Sequence, residues 1–426
     1  MRTPAIGAAL GLLLMLAAPG AVQQADAQGG MLTDAVQSAS AIYGETIIFT
    51  LEAAAPVEIT GARLTVQVAN RPEAYQQDIP LTPDQRVGLS QAIAVSSLRL
   101  PPVATLSYSW QLDGQDGQVY STVPAILRYE DTSVPWRWQA AQQGHLVIRT
   151  DGTDTALSEE ALRIGSAAMR QVSQMLGLTI EEDLHVYIYP DLAALASSLR
   201  LHDAQVQDWV AAYALPDQRA ALIAVEPGPE SYTSLRRDLA HEITHLVIGL
   251  AAGANEQAVP GWLNEGLALR STGEPDPTLA GVLTKAVQSD SLLPLEVLCV
   301  SAFSSLPPQD AALAYAQSQS VVGYFLDRYG AAQMRPLIAA YRSGAACSAG
   351  VEQAVGVSLA TLEAQWLSHV RQSAARTPDS STGLLPWIAV TLISFGLALL
   401  FVAPQPRRWD VEPGPEIELG PQTPPA

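Results

Sequence analysis

The first third of the chain alternates between apolar and polar positions with the period of two that is typical of half-buried strands. The segments with this pattern are 45–53 (ETIIFTLEA), 62–68 (ARLTVQV), 105–112 (TLSYSWQL) and 124–130 (PAILRYE). Turn signals such as Asp113-Gly114 and Asp116-Gly117 separate them. This spacing predicts an immunoglobulin-like β-sandwich at residues 31–131, which we interpret as a spacer or binding module because no cluster of catalytic residue types lies in it.

After a boundary at 131–138 (DTSVPWRW), the pattern changes to strands that alternate with helices. Apolar runs predict strands, and apolar positions three and four apart predict helices. The predicted strands are 145–150, 184–190 and 219–225, and the predicted helices are 157–178 and 191–201. Beyond Ser231 the pattern is helical to about Gln372. Residues 136–372 are therefore predicted to form an α+β domain with a helical C-terminal half.

The N-terminal segment has the form of a secretory signal peptide. Arg2 precedes an apolar run over residues 5–18, and Ala25-Asp26-Ala27 fits the A-x-A form of a cleavage site. We expect residues 1–27 to be removed on export. The alternative is an N-terminal anchor that stays uncleaved.

The C-terminal segment contains 19 consecutive uncharged residues, 384–402, about the length that crosses a bilayer. Arg407 and Arg408 follow, and the positive-inside rule places them in the cytoplasm. We predict a stalk at 373–383, a transmembrane helix at 384–403 and a disordered cytoplasmic tail at 404–426. The alternative for the apolar run is a buried core helix. The expected location is a bacterial-type cell membrane, with a single span and the body outside the cytoplasm.

The charge of the chain limits its partners. A formal net charge of −19 and a pI near 4.6 oppose binding to nucleic acid, which depends on neutralising phosphates. The two cysteines, Cys299 and Cys347, lie in the part predicted to be exported, where an oxidising compartment permits a disulfide between them. If they stay reduced, they are two small core residues. The oligomeric state is not predicted by the sequence.

The chemistry is concentrated in the segment 236–250 (RRDLAHEITHLVIGL). His241, Glu242 and His245 fit the pattern H-E-x-x-H, which on a helix places both imidazoles on one face. Neutral imidazoles suit zinc, and the adjacent Glu242 can take a proton from a water molecule. The same segment carries an apolar stripe, so the helix is also a core element. A second segment, 260–270 (PGWLNEGLALR), places Glu265 in an apolar run, where a buried carboxylate needs a partner such as a metal.

These two segments together resemble the gluzincin metallopeptidases. The local sequence is most similar to the aminopeptidase-N-like branch and to bacterial peptidase MA-like domains. The resemblance implies a thermolysin-like zincin domain that binds one Zn²⁺ ion per chain. It implies His241, His245 and Glu265 as ligands and Glu242 as general base. In the segment 314–330 (AYAQSQSVVGYFLDRYG), it implies that Tyr315 donates a hydrogen bond to the oxyanion.

The chain departs from the family pattern in two places. The G-x-M-E-N segment with which aminopeptidases hold a free N-terminus is absent from the sequence. Leu269 stands where thermolysin has an aspartate that supports a ligand, so Asp238 is the candidate for that support. The family resemblance also makes the predicted strand 219–225 the cleft edge that pairs with extended substrate.

Two functional hypotheses remain at this stage. The first is a membrane-anchored, extracytoplasmic zinc metallopeptidase that acts on peptides or proteins as an endopeptidase. The second is a non-catalytic module of the same fold that binds or assembles partners at the cell surface. A purely structural zinc site would take four protein ligands and would not require Glu242, which favours the first hypothesis.

Overall fold

The computed structural model describes residues 32, 35–140, 145–202, 211–273, 276–300, 303 and 306–376. The predicted signal peptide, transmembrane helix and tail lie outside these residues. Within the described ranges, no helix combines the length and apolar character needed to cross a bilayer.

The N-terminal part consists of seven strands and one short helix. These are β1 (Val36–Ile42), β2 (Thr46–Val68), β3 (Ala74–Ile79), β4 (Asp84–Ala94), α1 (Val95–Leu98), β5 (Ala104–Gly114), β6 (Val119–Ser121) and β7 (Ala125–Tyr129). They form one hydrogen-bonded sheet with the order β1-β2-β5-β6, in which β3 and β4 also pair with β2, and β7 pairs with β5.

Strand β2 corrects the prediction of separate strands at 45–53 and 62–68. Its first half pairs with β1 and β4, and its second half pairs with β3 and β5. The buried positions change from odd to even numbers at a register shift between Ile59 and Gly61: Leu51 and Ile59 are buried before it and Leu64 after it, and all three belong to one core. Because the strand continues through this irregularity, its two halves belong to one hydrogen-bonded sheet.

The second sheet follows directly. Its elements are β8 (Arg137–Ala140), β9 (Leu146–Thr150), α2 (Thr155–Leu176), β10 (Leu184–Tyr189), α3 (Leu192–Arg200), β11 (Ala212–Leu215) and β12 (Ala220–Ala224). The strand order is β11-β12-β10-β9-β8, with β9, β10 and β12 parallel and the two outer strands antiparallel. One face packs on α2, and the other packs on α3 and on Val103 and Val134 from the preceding part of the chain. The sheet is therefore covered on both faces, as parallel strands require.

The C-terminal half is helical, as the sequence predicts. Its helices are α4 (Ser231–Ala252), α5 (Gly261–Ser271), α6 (Pro277–Gln288), α7 (Pro308–Tyr329), α8 (Met334–Arg342), α9 (Cys347–Val355) and α10 (Leu359–Arg376). A proline precedes α5, and prolines are the first residues of α6 and α7. Proline is tolerated there because backbone N–H groups in the first turn of a helix make no hydrogen bond within the helix. Helix α10 continues to Arg376, into the first residues of the predicted stalk.

Glycine allows α5 and α7 to approach closely. A Cβ atom on Gly266 of α5 would lie 2.4 Å from the backbone oxygen of Ser318 on α7. A Cβ atom on Gly261 would lie at the same distance from the backbone oxygen of Val300. Both positions therefore exclude a side chain, and this fixes α5 against its neighbours.

The N-terminal sheet is tied to the second sheet by polar contacts. The Tyr129 hydroxyl lies 2.7 Å from Nε2 of His202, and the Tyr187 hydroxyl donates to Glu130 at 2.8 Å. The side chain of Asn70 donates to the backbone oxygen of Asp217, in the turn between β11 and β12. The N-terminal part is thus packed against the second sheet.

Candidate metal centre

Helices α4 and α5 bring together the three predicted ligands. Nε2 of His241 lies 3.0 Å from Nε2 of His245, and Oε2 of Glu265 lies 3.5 Å and 3.6 Å from these two atoms. Among the described residues, these three side chains form the group whose ligand atoms lie close enough together to hold a metal ion.

The spacing of these atoms fits zinc. With zinc–ligand bonds of about 2.0–2.1 Å and tetrahedral angles, two ligand atoms lie about 3.3 Å apart. The observed separations of 3.0, 3.5 and 3.6 Å surround this value. Oε2 of Glu265 is buried and has no hydrogen-bond partner among the described residues, and a buried carboxylate oxygen in this state needs a cation. The residues present therefore fit the metal that the sequence implies.

The two histidines also determine the charge state of Glu265. Burial alone would raise the pKa of its carboxyl group, but the charges of His245 and His241 beside it lower the pKa below its usual value. The carboxyl group is therefore ionised at neutral pH, as a metal ligand must be.

Glu242 lies beside the ligands in a dry environment. Its side chain is almost fully buried, with the residue 7% exposed, and burial raises the pKa of its carboxyl group to about 7. This net pKa includes a lowering by His245 and by a hydrogen bond from the backbone N–H of Ala214, and a rise caused by the nearby charges of Glu265 and Asp238. A carboxyl group with a pKa near neutrality can both take up and release a proton.

Tyr315 lies in the third turn of α7, half-buried, with its ring packed edge-on against Phe303 at a centroid distance of 5.3 Å. Burial raises the pKa of its hydroxyl group, and the charges of Glu265 and Glu242 raise it further. The phenol therefore remains protonated at neutral pH.

The support that the sequence assigned to Asp238 comes from another residue. The Asp238 carboxylate accepts two hydrogen bonds from the neighbouring Arg237, at 2.6 and 3.1 Å. Nδ1 of His245 lies 2.9 Å from Oδ1 of Asn264. Because this oxygen can only accept, Nδ1 carries the proton and Nε2 presents its lone pair to the metal position. Sequence reasoning missed Asn264, although it directly precedes the ligand Glu265.

The cleft edge also differs from the expectation. The predicted strand 219–225 corresponds to β12, which lies between β11 and β10 and is fully buried. The outer strand is β11, which the sequence did not predict, and its Ala214 donates to Glu242. Substrate pairing at this sheet would therefore use β11.

Cys299 and Cys347 are joined by a disulfide, with their Cα atoms 5.9 Å apart. The backbone oxygen of the next residue, Val300, accepts a hydrogen bond from the N–H of Gly261 at the start of α5. The disulfide therefore anchors the segment on which the ligand helix begins.

The comparisons with known proteins agree with this site. Residues 165–372, just under half of the chain, match the family model described as Peptidase MA superfamily. No curated protein matches the chain significantly.

The solved structures that are similar to the chain include two forms of a zinc metallopeptidase and an aminopeptidase N family protein. One is an M1 zinc metallopeptidase from Deinococcus radiodurans, at 14% identity and a TM-score of 0.36, covering 76% of this chain and 90% of that one. A mutant of that enzyme has the same identity and TM-score, with coverages of 80% and 94%. An aminopeptidase N family protein from Idiomarina loihiensis is 10% identical with a TM-score of 0.30, covering 83% and 73%. At these TM-scores the likeness carries no functional argument, so the assignment rests on the family match and the geometry of the site.

Proposed function

We propose that this chain, whose residues 165–372 form a domain of the Peptidase MA superfamily, is a zinc-dependent peptidase. The observation that carries the proposal is the convergence of three ligand atoms from His241, His245 and Glu265, at separations that suit tetrahedral zinc. The buried carboxyl group of Glu242 beside them supports a catalytic rather than a structural site.

Each residue of the site has a defined role in peptide hydrolysis. His241, His245 and Glu265 would hold one zinc ion per chain, and that ion would supply a Lewis acid at the scissile carbonyl. Glu242, buried beside the ligands, takes a proton from the attacking water and passes it to the leaving amine. Tyr315, protonated at neutral pH, donates a hydrogen bond to the developing oxyanion.

Strand β11 supports an extended peptide as the substrate. Among the described strands, β11 pairs only with β12, which leaves its other edge for strand addition. Ala214 of β11 contacts Glu242, so a peptide along this edge would pass the catalytic base. The absence of a G-x-M-E-N segment removes the usual anchor for a free N-terminus, so we propose cleavage within the chain of a peptide or protein.

We further propose that the catalytic body lies outside the cytoplasm, anchored by the apolar segment 384–403. The signal-like residues 1–27 and the arginines after the apolar segment support this topology. Protease added to intact cells should digest an epitope in the body and spare one fused after Ala426. Digestion of the second epitope in intact cells would contradict this orientation.

The function is tested with the purified full-length chain. The zinc bound per chain is measured, and cleavage of a peptide library is detected by mass spectrometry. The wild type should bind one zinc ion and cleave internal peptide bonds. Glu242→Gln should keep the zinc and lose activity by about 10²–10⁴-fold, because the base is removed and the ligands stay. Glu256→Gln makes the same chemical change on the α4–α5 connection and should keep its activity.

A contaminating protease is excluded if Glu242→Gln abolishes cleavage while the matched control does not. If the wild type binds zinc and cleaves nothing, the alternative of a non-catalytic binding module replaces the peptidase. If His245→Ala binds zinc as tightly as the wild type, the ligand assignment itself is wrong.

A further inference from the structure

A cavity of about 710 Å³ is lined by residues of α4, α5 and α7, the three helices that carry the metal centre, and by the start of α6. On each of the three helices, one residue lining the cavity lies four positions from a residue of the metal centre. The three pairs are Arg237 and His241 on α4, Leu269 and Glu265 on α5, and Gln319 and Tyr315 on α7. Residues four apart lie on the same helix face about 6 Å from each other, so the cavity begins one helical turn from the catalytic residues.

Two guanidinium groups face this cavity from α4. The side chains of Arg236 and Arg237 are 63% and 59% exposed. Asp238, only 13% exposed, accepts hydrogen bonds from Nε and Nη2 of Arg237 and so fixes the plane of that guanidinium. Among the described residues these two bonds leave Nη1 of Arg237 for a further acceptor.

The charge of Arg236 is only weakly compensated. Its Nη2 lies 3.7 Å from Glu160, a carboxylate that already binds Arg163 through both of its oxygens. On the opposite wall, Asp276 contributes one carboxylate, which also caps α6 by accepting from the N–H of Thr278 at 2.7 Å. The described lining therefore carries two cations and one carboxylate, in a chain whose net charge is −19.

We infer that this cavity is a substrate subsite that takes a peptide carboxylate, within about two residues of the cleaved bond. The inference rests on the proposed peptidase function and adds a substrate class to it. The cavity lies one helical turn, about 5.4 Å, from the metal centre, and one residue of an extended peptide spans about 3.3 Å. The carboxylate should therefore lie within about two residues of the cleaved bond. Arginine binds carboxylates through paired N–H groups, and Asp238 orients Arg237 for such a contact.

Two sources can supply the carboxylate, the side chain of Asp or Glu or the free C-terminus of the peptide. The probes are neutral decapeptides in which a single Glu or Gln occupies each position in turn, with either a free or an amidated C-terminus. The readout is the ratio of kcat/KM for the Glu and Gln peptides, or for the free and amidated ones. A ratio cancels any general loss of activity that a variant causes.

For the wild-type, full-length protein, kcat/KM should be about tenfold higher for the peptide that carries the preferred carboxylate than for its neutral counterpart. A tenfold ratio is the effect expected of one partly exposed charge-assisted hydrogen bond. Arg237→Gln and Arg236→Gln should each reduce the ratio to about threefold or less. Asp276→Asn should raise it, because the opposing charge is removed while asparagine still caps α6. Arg371→Gln is the matched control, since Arg371 on α10 is also exposed and paired, with Asp290, but does not line the cavity.

A second measurement separates this inference from the proposed function. Fluorescence anisotropy gives the affinity of the labelled Glu and Gln peptides for the zinc-loaded Glu242→Gln protein and for the same protein with Arg237→Gln. If the wild type cleaves peptides with a ratio near one, or the ratio survives both arginine changes, the subsite is overturned and the peptidase stands. If nothing is cleaved but binding prefers carboxylates through Arg237, the subsite stands and the peptidase falls. If neither cleavage nor preferential binding occurs, both are overturned.

Discussion

Asn264 shows that the orientation of a ligand depends on a residue that is not itself a ligand. Its side-chain oxygen accepts from Nδ1 of His245 at 2.9 Å and so fixes the ring and its tautomer. We expect Asn264→Ala to weaken zinc binding by about 10–100-fold. Asn264→Asp keeps an acceptor oxygen at the same place and should retain most of the affinity. Competition with a chromogenic chelator measures both, and equal affinities for wild type and Asn264→Ala would contradict the role.

Glu256 makes the stability of the protein depend on pH outside the metal centre. Burial, with the charge of Asp217, raises the pKa of its carboxyl group from 4.5 to about 7. An acid with a raised folded pKa contributes stability that is fully present below its unfolded pKa and is lost as the pH rises through the folded value. Because the group is partly exposed, we expect a loss of only about 1 kcal/mol between about pH 5.5 and pH 8.

Urea unfolding at the two pH values tests this prediction. Glu256→Gln should not lose this stability as the pH rises, and it should therefore be more stable than the wild type at the higher pH. Glu352→Gln, a change of an exposed glutamate on α9, is the control and should leave the pH dependence as it is in the wild type. Identical pH dependence in Glu256→Gln and wild type would contradict the assignment.

At the scale of elements, the disulfide holds together parts of the chain that build the site. It closes a loop across 48 positions, and a loop of this length corresponds to about 2–4 kcal/mol of unfolding free energy. We expect the double variant Cys299→Ser/Cys347→Ser to lose about this amount in chemical denaturation. Reductant should destabilise the wild type to the same level and leave the double variant unchanged. A reductant effect on the double variant would mean that another process is being measured.

The elements differ in how far the sequence predicts them. Helix α4 is predicted well, because its apolar stripe and the spacing of His241 and His245 follow the same helical period. Strand β11 is missed because its four residues are too few to show a period. The continuous apolar run of β12 indicates burial on both faces, which fits a central strand better than the cleft edge first assigned to it.

Other differences depend on packing that a sequence does not show. The segment between Ala54 and Ile59 contains Pro56 and reads as a break, but a register shift lets β2 continue through it. The partner of His245 depends on how α4 and α5 are rotated against each other, so Asn264 could not be identified from spacing. The ligands themselves were identified by resemblance to a known family, and the structure brings their atoms together.

At the scale of the whole molecule, residues before Trp136 complete one side of the second sheet. The face of the second sheet that carries Tyr187, Tyr189 and Leu222 is covered in part by Val103 and Val134. We therefore expect a chain that begins at Trp136 to expose this face and to bind a hydrophobic dye without a cooperative unfolding transition. The full-length protein is the control, and co-expression with residues 1–135 should restore folding. A cooperative transition of the fragment at the wild-type midpoint would contradict the prediction.

The close approach at Gly266 affects how substitution data for this protein should be interpreted. Any side chain at this position would push α5 away from α7, and with it Glu265 away from Tyr315. In a saturation library selected for activity, Gly266 should tolerate replacement as poorly as the ligands beside it, although it does no chemistry. The positions that do not tolerate substitution would therefore include residues that take no part in the reaction. A separate measurement of zinc affinity would be needed to distinguish the metal ligands from residues such as Gly266 that only position the helices.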